Sequence, residues 1–196
     1  MSAETKAERT RRRILDASAR EFALHGYGGA SLRRIAEAAD LKVGSLAFHF
    51  PTKDDLVAAT LRDGVEAATA ALRHAVDAVS EDADPVERLR AAARGHLDAL
   101  HASDDRAAAV VRMVETLPPS LRADHVAHER GFARVWLDVL QRGRREGVVR
   151  DDVDLRVLRD LVVGALNSTS TSSPRAHPDL EAVVATVLRL LAPPRR

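Results

Sequence analysis

The sequence predicts an all-α fold: a small N-terminal head of three helices that contains a helix-turn-helix, followed by a larger helical body, about nine helices in all. Three observations carry that expectation. Apolar residues recur at three- and four-residue spacing along most of the chain, the pattern of amphipathic helices. No stretch of useful length alternates apolar and polar residues as a half-buried strand does. Finally, the twenty residues from Ser31 to Phe50, SLRRIAEAADLKVGSLAFHF, read as two short helices around a tight break, closed by an aromatic stop.

The head begins with a basic arm, Arg9, Arg11, Arg12 and Arg13, leading into a helix with Ile14, Ser18 and Phe22 on one side. Gly26-Tyr27 breaks that helix. Ser31 then stands where an N-cap accepts a backbone N–H. Leu32, Ile35, Ala36 and Ala39 recur at i, i+3, i+4 and i+7 and give the next helix one narrow apolar face. Leu41, Leu46 and Phe50 return to the same small core. Lys42, Val43, Gly44, Ser45, Ala47, Phe48 and His49 are left outward, and large apolar Val43 and Phe48 are poor choices for a merely solvated face. In a helix-turn-helix this second helix lies in the DNA major groove. The DNA contacts expected are therefore Lys42, Val43, Gly44, Ser45, Phe48 and His49 on that helix, Ser31 and Arg33 at the start of the preceding one, Arg11 in the arm and Lys53 just beyond.

The order and spacing of these segments over about the first 60 residues resemble the N-terminal domain of the TetR family of transcriptional regulators. Phe50-Pro51-Thr52-Lys53, followed by Asp54, Asp55 and Leu56, is similar to the family's F-x-[ST]-K-x-x-L segment. There a fourth helix starts, with Thr52 as N-cap and Asp55 as capping-box partner, and Lys53 in its first turn makes a phosphate clamp. Two positions depart from the family's pattern. Ala47 stands where an aromatic, most often Tyr, is usual, which removes one typical phosphate contact. Lys42 stands where Ser or Thr is common, exchanging a helix cap for a charge. The resemblance implies two domains, 1–52 for DNA binding and 53–196 for ligand binding and dimerisation.

The body reads as helix after helix. One long helix runs from Lys53 to about Ser80. Asp84-Pro85-Val86-Glu87 is a start signal, with Asp as N-cap, Pro at N1 and Glu at N3. Val86, Leu89, Ala93, Leu97 and Leu100 continue as a stripe to a break near Ser103 and Asp104. A shorter helix spans about Arg106 to Thr116 and is stopped by Pro118-Pro119. Leu121 to Glu146 follows and ends at Gly147. Two more helices, Asp154 to about Ser168 and Asp179 to Ala192, flank a Ser/Thr/Pro-rich stretch from Thr169 to Pro178.

These last two helices are apolar on more than one face. Leu155, Leu158 and Val162, with Val184, Val187 and Leu188, are therefore expected in a symmetric four-helix contact between two subunits. The family resemblance favours this dimer, which presents two recognition helices to a palindromic site. It also implies an effector bound among the middle helices that changes the separation of the two heads. Leu97, Leu100, Val110, Met113, Val114, Phe132 and Trp136 would form the wall, with His96, Arg112, Glu115 and Asn167 as polar anchors. The Leu117-Pro118 region, Trp136 and Gly164-Ala165-Leu166-Asn167 resemble members that sense steroid-derived or fatty acyl-CoA thioesters. That subgroup has aromatics after the Asn, whereas Ser168 to Ser173 here are all Ser or Thr. The effector expected is small and apolar, with an acyl-CoA-like compound as one candidate.

Composition bounds the alternatives. At 196 residues with 45% hydrophobic and 30% charged residues, the chain suits a small head plus one larger core. It has no cysteine, which excludes disulfides and Cys-based zinc sites. No apolar run reaches a membrane span and no signal-peptide pattern follows the charged start, so a cytoplasmic location is expected. Residues 1 to 50 carry nine Lys/Arg against six Asp/Glu, a net +3, and the remainder is −2. His125 and His128, beside Asp124 and Glu129, would need a third ligand from another helix to bind zinc or nickel, and none can be named; neither metal nor cofactor is expected. Arg142, Arg144 and Arg145 read as a charged helix end. Without a Gly-rich phosphate loop, nucleophile elbow or catalytic Cys, an enzyme is the weaker reading. A helix-turn-helix protein that binds DNA nonspecifically and acts through protein contact is the other alternative.

Overall fold

A computed structural model describes residues 5–103, 105–114, 116–171 and 179–194. Nine α-helices and no strand are found among them: α1 (Lys6–Gly29), α2 (Leu32–Ala38), α3 (Val43–His49), α4 (Lys53–Asp77), α5 (Pro85–Leu100), α6 (Arg106–Val114), α7 (Pro119–Arg145), α8 (Leu155–Thr171) and α9 (Leu180–Leu191). Asp104, Glu115 and residues 172–178, which include Ser172 and Ser173 and most of the Ser/Thr/Pro-rich stretch, lie outside the described residues. No helix is long and apolar enough to cross a membrane among the described residues.

The start signals read from the sequence are met by hydrogen bonds. Ser31 Oγ accepts from Arg34 N–H at 3.5 Å. Thr52 Oγ1 accepts from Asp55 N–H while the Asp55 carboxylate accepts from Thr52 N–H, both at 3.1 Å, a complete capping box. Asp84 caps α5 through Val86 N–H at 2.9 Å, and Asp179 caps α9 through Glu181 and Ala182 N–H. Gly26 adopts φ +63° inside α1, a left-handed conformation that costs glycine little. The break is thus a local kink, and the helix resumes to Gly29.

The chain forms two compact units. One comprises Met1–Glu66 with Ala102–His128, the other Ala67–His101 with Glu129–Arg196. The first therefore extends beyond residue 52 and takes in α6, which packs on α1. Its core is Ile14, Phe22, Ile35, Leu46, Leu56, Val57, Ala109 and Met113, each nearly or fully removed from solvent. Gly64 admits α6 to α4 in this unit: a Cβ there would stand 2.5 Å from the Arg106 carbonyl oxygen.

In the second unit Leu72, Leu89, Leu97, Trp136, Leu140, Leu158, Val162, Leu166, Val184, Val187 and Leu191 form one core. The arginines at the end of α7 serve this unit structurally. Arg142 pairs with Glu146 and Glu81, and Arg144 donates to the carbonyls of Arg150 and Val153, fastening the chain that follows.

Candidate DNA interface and effector site

In the first unit the motif is assembled from α2 and α3. Ile35, Ala36, Ala39, Leu46 and Phe50 are buried; α2 packs on α1, and α3 packs on α2. The turn between them passes through Asp40 at φ +52°, a conformation Asp tolerates better than most residues. Arg13 on α1 fixes that turn by donating to the Ala39 carbonyl oxygen and to the Asp40 carboxylate, the latter at 3.3 Å. Glu21 makes the matching tie at the other end. It accepts from Ser31 N–H at 2.9 Å and from Arg34 Nε–H at 2.7 Å. Burial works to raise the Glu21 carboxyl, but these hydrogen bonds prevail and hold it below the usual carboxylate range. Sequence reading assigned Arg13 to a charge cluster and missed Glu21 and Asp40. Their partners lie ten to twenty-seven positions away, beyond any helical spacing.

With Leu46 inward, α3 presents Lys42, Val43, Gly44, Ser45, Ala47 and Phe48 as exposed positions, with His49 half-buried. Phe48 is 86% exposed, an unusual placement for a ring of that size. Arg33 is exposed but paired with Glu37 one turn on, and Ser31 is half-buried and engaged as the cap. The Arg11 guanidinium lies 4.5 Å from the centre of the Phe50 ring. Lys53 donates to the Ala30 carbonyl at 2.9 Å and stands over the Tyr27 ring. An ammonium has three N–H groups, so two remain for a phosphate, and the side chain is held in place before one arrives.

The residues expected around an effector divide between the units. His96, Leu97, Leu100, Phe132, Trp136 and Asn167 belong to the second, Arg112 and Met113 to the first; Glu115 lies outside the described residues. Leu97, Leu100, Met113 and Trp136 are buried, Phe132 and Asn167 half-buried, and Arg112 exposed. His96 and Asn167 meet: His96 Nε2 stands 2.9 Å from Asn167 Oδ1. The Phe132 ring packs edge-on to His96 at 5.3 Å, and Trp136 lies 6.0 Å from it. Burial drives His96 down to about 4 against the opposing hydrogen bond to Asn167. Its imidazole is consequently neutral, and it offers hydrogen bonds rather than charge. His96 Nδ1 and Trp136 Nε1 are both buried without a hydrogen-bond partner.

The residues expected at a subunit contact differ in exposure within the single chain. Leu158, Val162, Val184 and Val187 are at most 4% exposed and form the second unit's own core, and Leu155 and Leu188 are partly buried against it. The apolar side chains that α8 and α9 leave in solvent are Val157, Leu161 and Leu190, at 52, 64 and 50% exposure. Excess apolar character on these helices was legible, but its phase was not: two apolar stripes one residue out of register look alike until one is packed.

In the first unit His125 is buried and borders a cavity of about 40 Å³ with Ala58, Leu61, Arg62, Leu121, Asp124 and His128. His128 Nδ1 bonds the Asp124 carbonyl oxygen at 2.8 Å. No three His, Asp or Glu among the described residues are grouped to hold a metal ion.

A short exposed helix held by a tight, side-chain-tied turn, beside a cationic fringe, defines a helix-turn-helix DNA-binding protein. Residues 14–60 match the family model of bacterial regulatory proteins of the tetR family, and residues 82–171 match that of tetracyclin repressor-like C-terminal domains. The chain is 31% identical to the HTH-type transcriptional repressor AcnR of Corynebacterium diphtheriae, over 79% of this chain and 75% of the relative. It is 29% identical to the transcriptional repressor KstR2 of Mycobacterium tuberculosis strain H37Rv, over 83% of this chain and 78% of the relative. Among solved structures, AibR in complex with isovaleryl coenzyme A and operator DNA superposes with a TM-score of 0.78 at 23% identity, over 95% of this chain and all of that one. The chain belongs to the TetR family of bacterial transcriptional regulators. AcnR and KstR2 are both named as transcriptional repressors.

Proposed function

We propose that the protein is a homodimeric repressor that binds a palindromic operator and is released from it by a small, largely apolar effector. The observation that carries the operator reading is α3, which buries Leu46 and leaves Val43, Gly44, Ser45 and Phe48 exposed, with Lys42 at its N-cap and Lys53 opening the next helix. A surface of this kind suits a groove lined by phosphates.

The homodimer rests on Val157, Leu161 and Leu190, which stay exposed on two neighbouring helices. A twofold contact across α8 and α9 would cover them. The effector reading rests on the His96, Phe132, Trp136 and Asn167 cluster, where two buried ring nitrogens lack partners. A neutral His96 favours a ligand with an uncharged polar group at that point, such as a thioester or amide carbonyl facing Trp136 Nε1. AibR, which shares the fold, binds an acyl-CoA, so an acyl thioester is a reasonable first compound to test.

The decisive experiment is a mobility shift with a palindromic fragment enriched from random duplexes. Binding should weaken steeply with salt and be absent for a scrambled fragment of the same composition. Equal binding to both fragments would leave a nonspecific helix-turn-helix protein acting through protein contact.

A further inference from the structure

Between Val43 and His49 the outward face of α3 offers no Arg, Asn or Gln to a purine and no Asp or Glu to accept from cytosine; the one side chain of the guanine-reading kind is Lys42, at the N-cap. What it presents instead is apolar: Phe48 at 86% exposure, Val43 at 46%, and Ala47. The single apolar group on the floor of the major groove is the C5-methyl of thymine.

A second observation concerns Gly44. It lies one helical turn before Phe48, on the side of α3 opposite buried Leu46, and a Cβ built there would meet nothing within 4 Å. Its backbone does not have the positive φ that would require glycine. Glycine inside a helix is unfavourable relative to alanine, and no neighbour within the protein demands it. The missing side chain leaves room for a surface outside the molecule to approach the helix backbone at that point. His49 braces the Phe48 ring edge-on at 5.6 Å between centroids.

We infer that Gly44 and Phe48 act as one reading device: Gly44 lets the α3 backbone settle close to the groove floor, and the Phe48 ring packs on thymine methyl groups that define the operator half-site. This inference rests on the operator reading above and adds the chemistry by which sequence is distinguished.

The test uses the full-length protein and the half-site that it enriches from random duplexes. Each thymine in turn is replaced by deoxyuridine, which removes the methyl and leaves base pairing intact. At one or two positions per half-site the wild-type affinity should fall about fourfold, the scale of one buried methyl group. Phe48→Ala should bind the thymine and deoxyuridine duplexes equally at the position it reads, and Phe48→Leu should restore part of the preference. Gly44→Ala should keep its helical circular dichroism and unfold at no lower denaturant concentration than wild type, yet bind the operator at least several-fold more weakly. Thymine and deoxyuridine equivalent at every position, or an undiminished preference in Phe48→Ala, would overturn the inference while leaving the operator reading intact. Failure to enrich any sequence would overturn both.

Discussion

His96 on α5 donates through Nε2–H to Asn167 Oδ1 on α8 at 2.9 Å, and the pair lies within a core that otherwise has few polar side chains. The two residues are 71 positions apart, and the bond joins helices in the second unit that are also held by Leu97, Val162 and Leu166.

Burial of His96, acting against the opposing bond to Asn167, gives a pH dependence of stability. The His96 pKa is about 4 when folded and 6.5 ordinarily. A depressed value means that the unfolded chain binds the extra proton more readily, so stability rises with pH across this window. The contribution is complete above about pH 6.5 and is lost as pH falls toward 4; it amounts to a few kcal/mol, on the order of 3 for such a shift. Urea midpoints measured from pH 7.5 to 4.5 should therefore fall, and His96→Gln should show a shallower fall than wild type. Parallel profiles would mean that His96 protonates without resistance in the folded protein.

Lys53 offers a test of the phosphate contact. Because Lys53 is already anchored to the Ala30 carbonyl, its loss should weaken all DNA sequences alike rather than alter their ranking. Lys53→Ala should reduce the slope of log affinity against log salt by about 0.9 per subunit, one phosphate each. A changed order of preference among operator variants, with the slope intact, would assign Lys53 to the bases instead.

The head was legible because its information is local. Ser31 and Thr52 cap within three residues, and Ile35, Ala36, Ala39 and Leu46 repeat at helical spacing around a single turn. The ties that hold the head together were not legible. Arg13 finds backbone oxygen at Ala39, and Lys53 does so at Ala30. A carbonyl acceptor has no residue type to announce it. In the body, helix positions followed from Asp84, Gly147 and Asp179, but the rotation of α8 and α9 did not. Leu158 and Leu161 are equally apolar and differ in that Leu158 faces the unit's core and Leu161 faces solvent.

That difference predicts opposite behaviour for adjacent substitutions. Leu161→Asp places a charge on a side chain that is 64% exposed in the single chain, so the subunit should fold with near-normal circular dichroism but sediment as a monomer. Leu158→Asp buries an unpaired charge in the core, at a cost of several kcal/mol, and should unfold the subunit instead. If Leu161→Asp remained dimeric at low micromolar concentration and bound operator as before, the subunit contact would lie on another surface.

The effector reading can be tested without a label, because Trp136 is the only tryptophan in the chain and is fully buried beside His96. A compound entering that cluster must move or hydrogen-bond the indole, so its fluorescence should change on titration with acyl-CoA thioesters of graded chain length. Fluorescence alone establishes occupancy, not signalling. A true inducer binds the DNA-released state better, and linkage then requires operator DNA to weaken that binding by the same factor, typically about 5- to 150-fold. The titration should be repeated with saturating operator duplex and with a scrambled duplex, and only the operator should shift the midpoint. His96→Phe, which keeps an aromatic of similar breadth but removes both nitrogens, should weaken the compound's binding more than it weakens operator binding. Compounds that quench Trp136 with the same midpoint in both duplexes would be occupants of the core, and a series made up only of such compounds would count against release by a ligand at this site.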